Sequence, residues 1–483
     1  MNEALQQTAR RASRVRPSPQ QLAWQEMELT TFIHFGMPTF KEEQDWGTGE
    51  EDPTELRATG FEPDQWVEVC NEIGSGMLIF TAKHHDGFCL WPTQTTDHNI
   101  AASSWKGGEG DMVREVAEAC RRGGIKFGIY LSPWDRHEPT YGTPGYHDYF
   151  KAQLRELCTG YGDLAEFWFD GACGESAFGV HQNYQWPEYY KIIRDHQPDA
   201  LIANQGPDLR WGGNEGGVAR GDEWSVYGLD APPEEFRNWK AVTNAAKFEP
   251  HTDGMPRLGA EPVADLDHLK DRKHLFWYPA EIDYSLRMYW FWHPNHECHV
   301  RTTDQLVETY YRSVGRNGVL LLGLAPDRAG RIPEFDVNRL REWKGVLQDT
   351  FDDDFAEGAR VEASSAAEGN EPAVIVGPDA AGFWRAADGD AAPVITLKTP
   401  EPVSFNRVMI QEMISEGQQV EKWRFDVRFG DRWVTMAGGG AIGHKRLFKL
   451  GTLTTDAVRL RLLENRGVPT IRRIGLFRAT PGG

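Results

Sequence analysis

A carboxylate follows a strongly apolar stretch at Asp170, where the sequence reads Leu164-Ala-Glu-Phe-Trp-Phe-Asp-Gly-Ala172. The apolar and aromatic run before it is typical of a strand buried in a parallel sheet. In a (β/α) barrel the catalytic groups gather at the C-terminal ends of the strands, so this position predicts a nucleophile. A structural interpretation is also open, in which Asp170 caps the following loop or pairs with an arginine.

Two adjacent histidines, His84 and His85, follow another predicted strand, Met77–Ala82. Neighbouring side chains of an extended strand point to opposite faces, so both imidazoles can serve one site only if the backbone turns there. Neutral imidazoles can exchange hydrogen bonds with sugar hydroxyls, and imidazole is also a common metal ligand. We therefore predict a ligand-binding role for this pair, with core packing as the alternative.

A glycine-rich loop, Arg210-Trp-Gly-Gly-Asn-Glu-Gly-Gly217, carries a second candidate carboxylate at Glu215. Such a loop can hold a carboxyl group over a bound substrate as a proton donor, provided that its surroundings raise the pKa of the group. An exposed, flexible loop without a catalytic role is the plainer interpretation of the same residues.

The first predicted strand, Glu28–Phe35, ends at His34, and the loop after it contains Asp45 and Trp46. An imidazole at a strand end beside an aromatic loop suits a carbohydrate pocket, although packing is an equally open role. The chain has 18 Trp, and most Trp in any protein belong to the core.

A second histidine-rich segment, His293-Pro-Asn-His296-Glu-Cys298-His299, has a spacing that invites a zinc site. Its proline disfavours a regular helix, so we expect a loop at the rim of the site and no bound metal. Arg287 and the aromatic residues Tyr289, Trp290 and Trp292 could bind a polar substrate or pack.

Strand-like and helix-like segments alternate over residues 1–350, which predicts a parallel sheet closed as a (β/α)8-like barrel with possible irregularities. Beyond the strands already named, the predicted strands are 125–131, 164–170, 200–203 and 318–324. The predicted helices are 63–73, 111–122, 146–161, 187–196 and 304–315. The sixth and seventh strands of the barrel are weakly marked.

An acidic segment that ends in glycine, residues 349–358, separates this region from a different pattern. Beyond it, short alternating segments separated by Gly, Pro and Asp predict an antiparallel β-sandwich over residues 351–483. These segments are 394–397, 407–411, 423–429, 458–462 and 471–477.

Composition narrows the class of partner. The net charge of −20 argues against nucleic acid and anionic membranes, and no apolar run is long enough to span a bilayer. The six Cys are scattered without CxxC pairs, and the N-terminal segment lacks the apolar region of a secretion signal. We expect a cytoplasmic protein with reduced thiols. The sequence gives no prediction of the oligomeric state.

An ordered set of motifs resembles the α-L-fucosidases of glycoside hydrolase family 29. The motifs are FIHFG (32–36), TAKHHDGFCLWP (81–92), YLSPWD (130–135), WFDGA (168–172), RWGGNEGG (210–217), SLRMYWFWHP (285–294) and SVGRNGVLLLGLAPDRAGRI (313–332). The resemblance covers about residues 25–350, and its glycine-rich loop is most similar to the branch that prefers α-1,3/1,4-linked fucose. The C-terminal region is similar, more weakly, to discoidin-like carbohydrate-binding sandwiches.

The resemblance implies a retaining exo-α-L-fucosidase that releases fucose from branched, Lewis-type oligosaccharides or glycoconjugates through a fucosyl-enzyme. It implies that Asp170 is the nucleophile and Glu215 the acid/base, with no metal or organic cofactor. The residues that it implies for fucose binding are His34, His84, His85, Trp134, Trp168 and Arg287, followed by the softer candidates Trp91 and Trp46.

Two departures from the family pattern put the preference for the leaving group in doubt. Asp45 stands where a glutamate is expected, and Trp-Gly-Gly-Asn replaces a bulkier run before Glu215. A broad-specificity enzyme for simple or α-1,2 fucosides, a non-catalytic fucose-binding protein and a metal-dependent hydrolase using residues 293–299 are the alternatives. The presence of both carboxylates disfavours the non-catalytic one.

Overall fold

The computed structural model describes residues 3–42, 46–176, 178–239, 264–377 and 382–479, and the backbone of 248–249 and 257–258. Eight strands, parallel to their neighbours, form the sheet at the centre of the first 350 residues. They are β1 (Leu29–Ile33), β2 (Met77–Lys83), β3 (Lys126–Leu131), β4 (Glu166–Phe169), β5 (Leu201–Asn204), β6 (Arg210–Trp211), β7 (Ala280–Ser285) and β8 (Val319–Leu324).

The sheet is a nearly closed barrel. Its strand order is β5-β4-β3-β2-β1-β8-β7-β6, so strands adjacent in the chain are adjacent in space. A parallel bridge between Ala203 of β5 and Leu209, just before β6, joins the two ends of this path. The predicted (β/α) barrel followed by antiparallel sheets is confirmed, including its irregularity, because β6 has only two residues.

Most helices lie between consecutive barrel strands, as the alternation predicted. The α-helices whose bounds lie within the described residues are α1 (Glu3–Ala12), α2 (Pro19–Met27), α3 (Pro63–Ile73), α4 (Met112–Gly123), α5 (Tyr146–Gly160), α6 (Trp186–His196), α7 (Leu266–Leu269), α8 (Thr303–Arg312) and α9 (Glu334–Phe351). Side-chain caps fix several of these boundaries. Asp111 accepts a hydrogen bond from the Arg114 N–H at the start of α4, and Gly124 ends that helix in the left-handed conformation.

The segment between β6 and β7 departs from the barrel pattern. Val226–Leu229 pairs antiparallel with His274–Trp277, and α7 precedes the second of these strands. The backbone of 248–249 pairs with 257–258. This insertion explains why the sixth and seventh strands are weakly marked in the sequence.

Side-chain alternation on β4 determines what faces the inside of the barrel. Glu166 and Trp168 hydrogen-bond to groups of the barrel interior, whereas Phe167 and Phe169 pack against the surrounding helices. The interior layer is a cluster of Trp24, Phe32, Met77, Ile79, Tyr130, Trp168, Leu201, Ala203, Leu209, Val319 and Leu321. Continuing the period of two places Asp170 on this inner side, just above the layer.

The C-terminal region consists of antiparallel strands around a separate hydrophobic core that begins near Ala356. The strands are β9 (Arg360–Ala363), β10 (Trp384–Arg385), β11 (Val394–Gln411), β12 (Val420–Phe429), β13 (Arg432–Gly439), β14 (Arg446–Asn465), β15 (Thr470–Ile471) and β16 (Arg473–Phe477). The sequence predicted shorter strands here. The predicted strands 394–397 and 407–411 are both part of the single strand β11. The register of β11 shifts at 399–402 and near Asn406, but the strand continues through both positions.

Polar contacts join the two regions. Glu28, between α2 and β1, accepts a hydrogen bond from Tyr310 and pairs with His444 at 2.8 Å and with Lys445. Burial opposes the charged form of Glu28, but these partners outweigh it and hold the pKa of the carboxyl far below its usual range. Among the described residues, no helix is long and apolar enough to cross a membrane.

Candidate active site

Asp170 lies at the C-terminal end of β4 and is partly accessible from the barrel mouth. Its Oδ2 accepts a hydrogen bond of 3.0 Å from the Tyr130 hydroxyl of β3, and its Oδ1 accepts one of 2.7 Å from the Ala172 N–H. The two oxygens are therefore fixed from two directions. The hydrogen bond from the Ala172 N–H agrees with the interpretation of Asp170 as a cap of the following loop. The carboxylate nevertheless lies at the barrel mouth, where it is available for chemistry.

His85 points its ring towards this carboxylate. Its Nε2 lies 3.8 Å from Oδ2 of Asp170, and its Nδ1 lies 2.6 Å from Oγ of Ser132. Because the Ser132 hydroxyl donates its proton to the Trp134 carbonyl at 2.6 Å, it must accept the bond from His85. Nδ1 therefore carries the proton, and in the neutral ring Nε2 is an acceptor that faces the mouth.

The backbone turns directly after β2, as two adjacent imidazoles in one site required. The rings of His84 and His85 lie 4.2 Å apart, and the Gly87 N–H closes the turn on the His84 carbonyl. Gly87 has a φ of +78°, and a Cβ there would lie 2.3 Å from Oδ1 of Asp135. A shift of register between Thr81 and Lys83 prepares the turn, in the manner of bulges near active sites.

His34 at the end of β1 completes a row of imidazoles. Its ring lies 5.7 Å from that of His84, 4.8 Å from that of Trp290 and 5.4 Å from that of Phe291. The Nδ1 atoms of His34 and His84 are buried and have no hydrogen-bond partner among the described residues.

The three imidazoles are electrically neutral near pH 7. Burial, followed by the neighbouring His85, lowers the pKa of His34 to about 3. Burial and the other two rings lower the pKa of His84 well below its usual value. Burial also lowers the pKa of His85, although Asp170 acts in the opposite direction. Neutral rings both donate and accept hydrogen bonds, which suits hydroxyl groups better than anions.

Trp134 and Trp46 form an aromatic rim beside His85. The Trp134 ring lies 5.0 Å from His85, and Trp46, which is 53% exposed, lies 5.8 Å from both rings. The Arg136 guanidinium donates to the Gly47 carbonyl and so holds the loop that carries Trp46. Asp45, the other residue singled out in this loop, lies outside the described residues.

Trp168 is close to the site but lies inside the barrel. Its indole stacks 5.5 Å from the Tyr130 ring, and its Nε1 donates a hydrogen bond of 2.7 Å to Glu281 of β7. Only 4% of the residue is exposed. Trp168 thus supports the floor under Asp170 and uses its polar atom within the protein.

The loop that carries Glu215 is attached to β7. The Gly212 N–H donates to the Glu281 carbonyl at 2.7 Å, and the Gly217 N–H donates to the Asp283 carbonyl at 3.1 Å. Gly217 has a φ of +68°, and a Cβ there would lie 2.6 Å from Thr309. Between these attachments Glu215 is exposed, so the predicted loop is accessible but held at both ends.

Two predicted sugar-binding residues have other partners. Arg287 is buried and forms a bidentate pair with Asp336 of α9, with N–O distances of 2.8 and 2.7 Å. Trp91 is also buried, and its indole donates a hydrogen bond of 2.8 Å to Glu156 of α5. The Trp91 N–H and two nitrogens of Arg287 therefore already have partners within the protein, whereas Nη1 of Arg287 has none among the described residues.

The rings of the histidine-rich segment 293–299 lie in a cluster with Tyr289. The ring of His296 lies 5.6 Å from that of His293 and 4.9 Å from that of His299, and Tyr289 stacks on it. Within the described residues, no group of three or more His, Cys, Asp or Glu side chains is arranged to hold a metal ion.

Several residues of the site were missed from the sequence. Tyr130 and Ser132 belong to the YLSPWD motif, and the period of two on β3 placed both on the inner side, which was the available signal. Glu281 and Asp283 follow the same rule on β7, but that strand was weakly marked. A carboxylate within an apolar strand gives no sign in the sequence of whether it is buried or at an edge.

A cavity of about 180 Å³ opens beside Asp170 on the side of β5. Its polar lining includes Gln182, Asn183, Gln205 and Arg237. Asp170 therefore lines this cavity and also lies beside His85.

Similarity to known proteins identifies the family of this chain. The sequence profile of the family described as Alpha-L-fucosidase matches residues 20–214 and 263–348. The chain is 34% identical to Alpha-L-fucosidase 1 of Arabidopsis thaliana over 471 residues, which cover 95% of this chain and 87% of the relative. The chain belongs to the α-L-fucosidase family. It is a glycoside hydrolase of that family, and its substrates are fucosylated.

Solved structures of this family have the same architecture. A Ruminococcus gnavus family 29 fucosidase in complex with fucose is 28% identical, with a TM-score of 0.84 over 97% of this chain and 96% of that one. A family 29 member from an unknown rumen bacterium is 33% identical, with a TM-score of 0.79 over 96% of this chain and 78% of that one. The similarity extends through the C-terminal region as well as the barrel.

Proposed function

We propose that this fucosidase retains the anomeric configuration, with Asp170 as the nucleophile and Glu215 as the acid/base. The observation that carries the proposal is the environment of Asp170: a fixed carboxylate at a barrel strand end, faced by an acceptor nitrogen of His85 and bonded by Tyr130. Glu215 is an exposed carboxyl on the loop after β6, at the same end of the barrel.

The reaction would then proceed in two displacements. In the first, an Asp170 oxygen forms a bond to C1 of fucose while the bond from C1 to the leaving oxygen breaks, and Glu215 gives that oxygen its proton. In the second, water attacks C1, Glu215 takes the proton of the water, and the bond to Asp170 breaks. Both residues return to their starting protonation states, and the fucose is released as the α anomer.

The neutral histidines would bind the hydroxyl groups of fucose. The acceptor Nε2 of His85 and the neutral rings of His34 and His84 together offer hydroxyls both acceptors and donors. Trp134 and Trp46 would cover an apolar face of the sugar at the rim. Trp168 would contribute indirectly, by supporting Asp170 from inside the barrel.

The substrate that we propose is α-1,3/1,4-linked fucose at the ends of branched, Lewis-type oligosaccharides. The support is the likeness of the Asn214-Glu215 loop to the branch of the family with that preference. Hydrolysis rates for Lewis a and Lewis x trisaccharides, a 2′-fucosylated oligosaccharide and an aryl fucoside test it. A clear excess of kcat/KM for the Lewis compounds is expected, and equal or higher values for the other two would instead assign a broad specificity.

Nuclear magnetic resonance of the first product tests retention directly. Hydrolysis of an aryl α-L-fucoside with excess enzyme should give α-fucose before mutarotation produces the β anomer. Initial β-fucose would contradict a covalent intermediate on Asp170 and would require a single displacement by water.

We also propose that residues 351–483 form a discoidin-like domain distinct from the catalytic region at 1–350. The support is the separate core from Ala356 onwards. Limited proteolysis should cut first near 352–358 and leave two protected fragments, whereas cleavage scattered through the strands would contradict the division.

A further inference from the structure

A buried ion pair lies behind the histidines of the barrel mouth. Nζ of Lys83, the last residue of β2, lies 2.8 Å from Oδ2 of Asp135 and 2.9 Å from Oε1 of Gln153 on α5. The side chains of Lys83 and Asp135 are both 0% exposed. Because replacing a buried ion pair by uncharged groups often leaves stability unchanged or raises it, the stability of the fold does not by itself explain these two charges.

Lys83 reaches this position because β2 bulges at its end. Ile79 belongs to the interior layer of the barrel, so an unbroken period of two would place Lys83 inside as well. Directly before Lys83, however, two residues of β2 span one step of β3, and Lys83 pairs with Leu131, which packs on the helix side. Lys83 therefore points outward to α5, and His84 takes the inner position beside the imidazole at the end of β1.

Asp135 connects the ion pair to the loop after β3. Its Oδ1 accepts hydrogen bonds of 3.0 and 2.8 Å from the N–H groups of the second and third residues after it, which fixes the backbone around Arg136. The Arg136 N–H donates to the His85 carbonyl at 2.9 Å, and its guanidinium donates to a carbonyl of the loop that carries Trp46. The ion pair is thus linked to His85 and to the aromatic rim.

We propose that Lys83 and Asp135 are positioning residues for the two imidazoles that follow β2. Lys83 holds the bulge from the helix side, and Asp135 holds the N–H group that bonds the His85 carbonyl, so that both rings face the mouth. A slip of one residue at this point would turn His84 to the outer side, since successive side chains of a strand alternate. The inference rests on the proposed binding of fucose by His84 and His85.

The test removes both charges together, because either single change would leave a buried charge without a partner. In Lys83→Met/Asp135→Asn the amide oxygen can still accept from the two N–H groups of the loop, so the variant should fold, with a thermal unfolding midpoint close to that of the wild type. We expect kcat/KM to fall by about 10²-fold, as for a displaced binding group. The inhibition constant Ki of free L-fucose should rise about 10-fold, which corresponds to one or two lost hydrogen bonds.

The Ki of fucose separates positioning from a purely structural role. A protein that is only less stable has fewer active molecules, which lowers the apparent kcat, but the molecules that remain folded bind fucose as before. Arg473→Met/Asp354→Asn is the matched control in the C-terminal region. Asp354 has a side chain that is 2% exposed, and it accepts from Arg473 at 2.9 Å and from two backbone N–H groups. This control should leave Ki and kcat/KM unchanged.

A milder variant covers the case in which the double variant does not fold. Gln153→Met removes the second acceptor of Lys83 but keeps both charges of the ion pair, so it should fold and raise Ki in the same direction by a smaller factor. A wild-type Ki in the folded double variant, or in Gln153→Met where only that variant folds, would overturn the inference.

Two further variants separate this inference from the proposed function. If His84→Ala and His85→Ala raise the Ki of fucose while the double variant does not, the histidines bind fucose and only the role of the ion pair is wrong. If the two histidine variants leave Ki unchanged, the proposed binding role fails, and the inference about Lys83 and Asp135 fails with it.

Discussion

Around Asp170 the barrel mouth is built from side chains at the ends of four consecutive strands, whereas Glu215 stands on a loop after a strand of only two residues. Asp170 is bonded by a tyrosine, faced by an imidazole and underlain by Trp168. Glu215 is held through backbone hydrogen bonds of its glycine neighbours. One carboxylate is fixed by packed side chains, the other by main chain.

This difference corresponds to the different tasks proposed for the two groups. A nucleophile must keep one position and one charge, and rigid rings on strands provide that. An acid/base must change its protonation state twice in each cycle, and an accessible loop allows it. The following changes test whether the two environments are in fact specialised in this way.

Removal of the nucleophile should have the largest effect. Asp170→Ala should lower kcat by about 10⁴-fold or more on every fucoside, because no other group described around it can form the covalent intermediate. Single-turnover assays on an aryl fucoside and on a Lewis trisaccharide measure the loss. A loss confined to the trisaccharide would assign Asp170 to proton transfer instead.

Removal of the acid/base should depend on the substrate. Glu215→Ala should lower kcat/KM by about 10²- to 10⁴-fold for an alcohol leaving group and far less for an activated aryl group, which departs without a proton. The slope of log kcat/KM against the pKa of the leaving group measures the contrast. An unchanged slope would mean that another carboxyl donates the proton.

More of the barrel than of the site could be predicted from the sequence. Periodicity placed β1 to β5 and β8, and the carboxylate at the end of β4, because each strand is apolar, long enough and bounded by glycine or a cap. The sequence could not separate Trp91 from Trp134, because both follow strands and only the partner Glu156 distinguishes them. The ion pair of Arg287 with Asp336 could not be predicted either, since Asp336 lies on a helix that was not predicted.

Loss of the hydroxyl that fixes Asp170 should have a moderate effect. Tyr130→Phe keeps the ring that packs on Trp168 but removes one hydrogen bond to a charged group, which is worth about 1.5–3 kcal/mol. We expect kcat to fall roughly 10- to 100-fold with stability almost unchanged. Equal kcat values for the two proteins would show that the imidazoles and the Ala172 N–H suffice to position Asp170.

The smallest effect concerns stability beneath the site. Burial raises the pKa values of Glu166 and Glu281, to about 7 for Glu281, and the neighbouring Glu281 raises the pKa of Glu166 further. Their contribution to stability is therefore fully present below the pKa of the unfolded chain and is lost as pH rises through the folded pKa. Glu281→Gln removes one titrating group, so the free energy of unfolding of the variant should rise relative to the wild type, by roughly 1 kcal/mol or more, as pH increases from about 5 to about 8.

Thermal unfolding midpoints of the wild type and of Glu281→Gln, measured across this pH range, give the change in stability. Glu412→Gln is a matched variant in the C-terminal region, where burial raises the pKa of Glu412 to about 7. A difference between wild type and Glu281→Gln that stays constant with pH would mean that Glu281 is ionised alike in the folded and unfolded chain.

In the proposed mechanism the two carboxyls have different roles in one double displacement, and azide distinguishes those roles with a single reagent. In Asp170→Ala, azide replaces the missing nucleophile and should give β-fucosyl azide after one inversion. In Glu215→Ala, azide attacks the intermediate on Asp170 and should give α-fucosyl azide. The anomeric proton coupling in the isolated products decides between these outcomes. The same anomer from both variants, or the two anomers exchanged, would contradict the assignment.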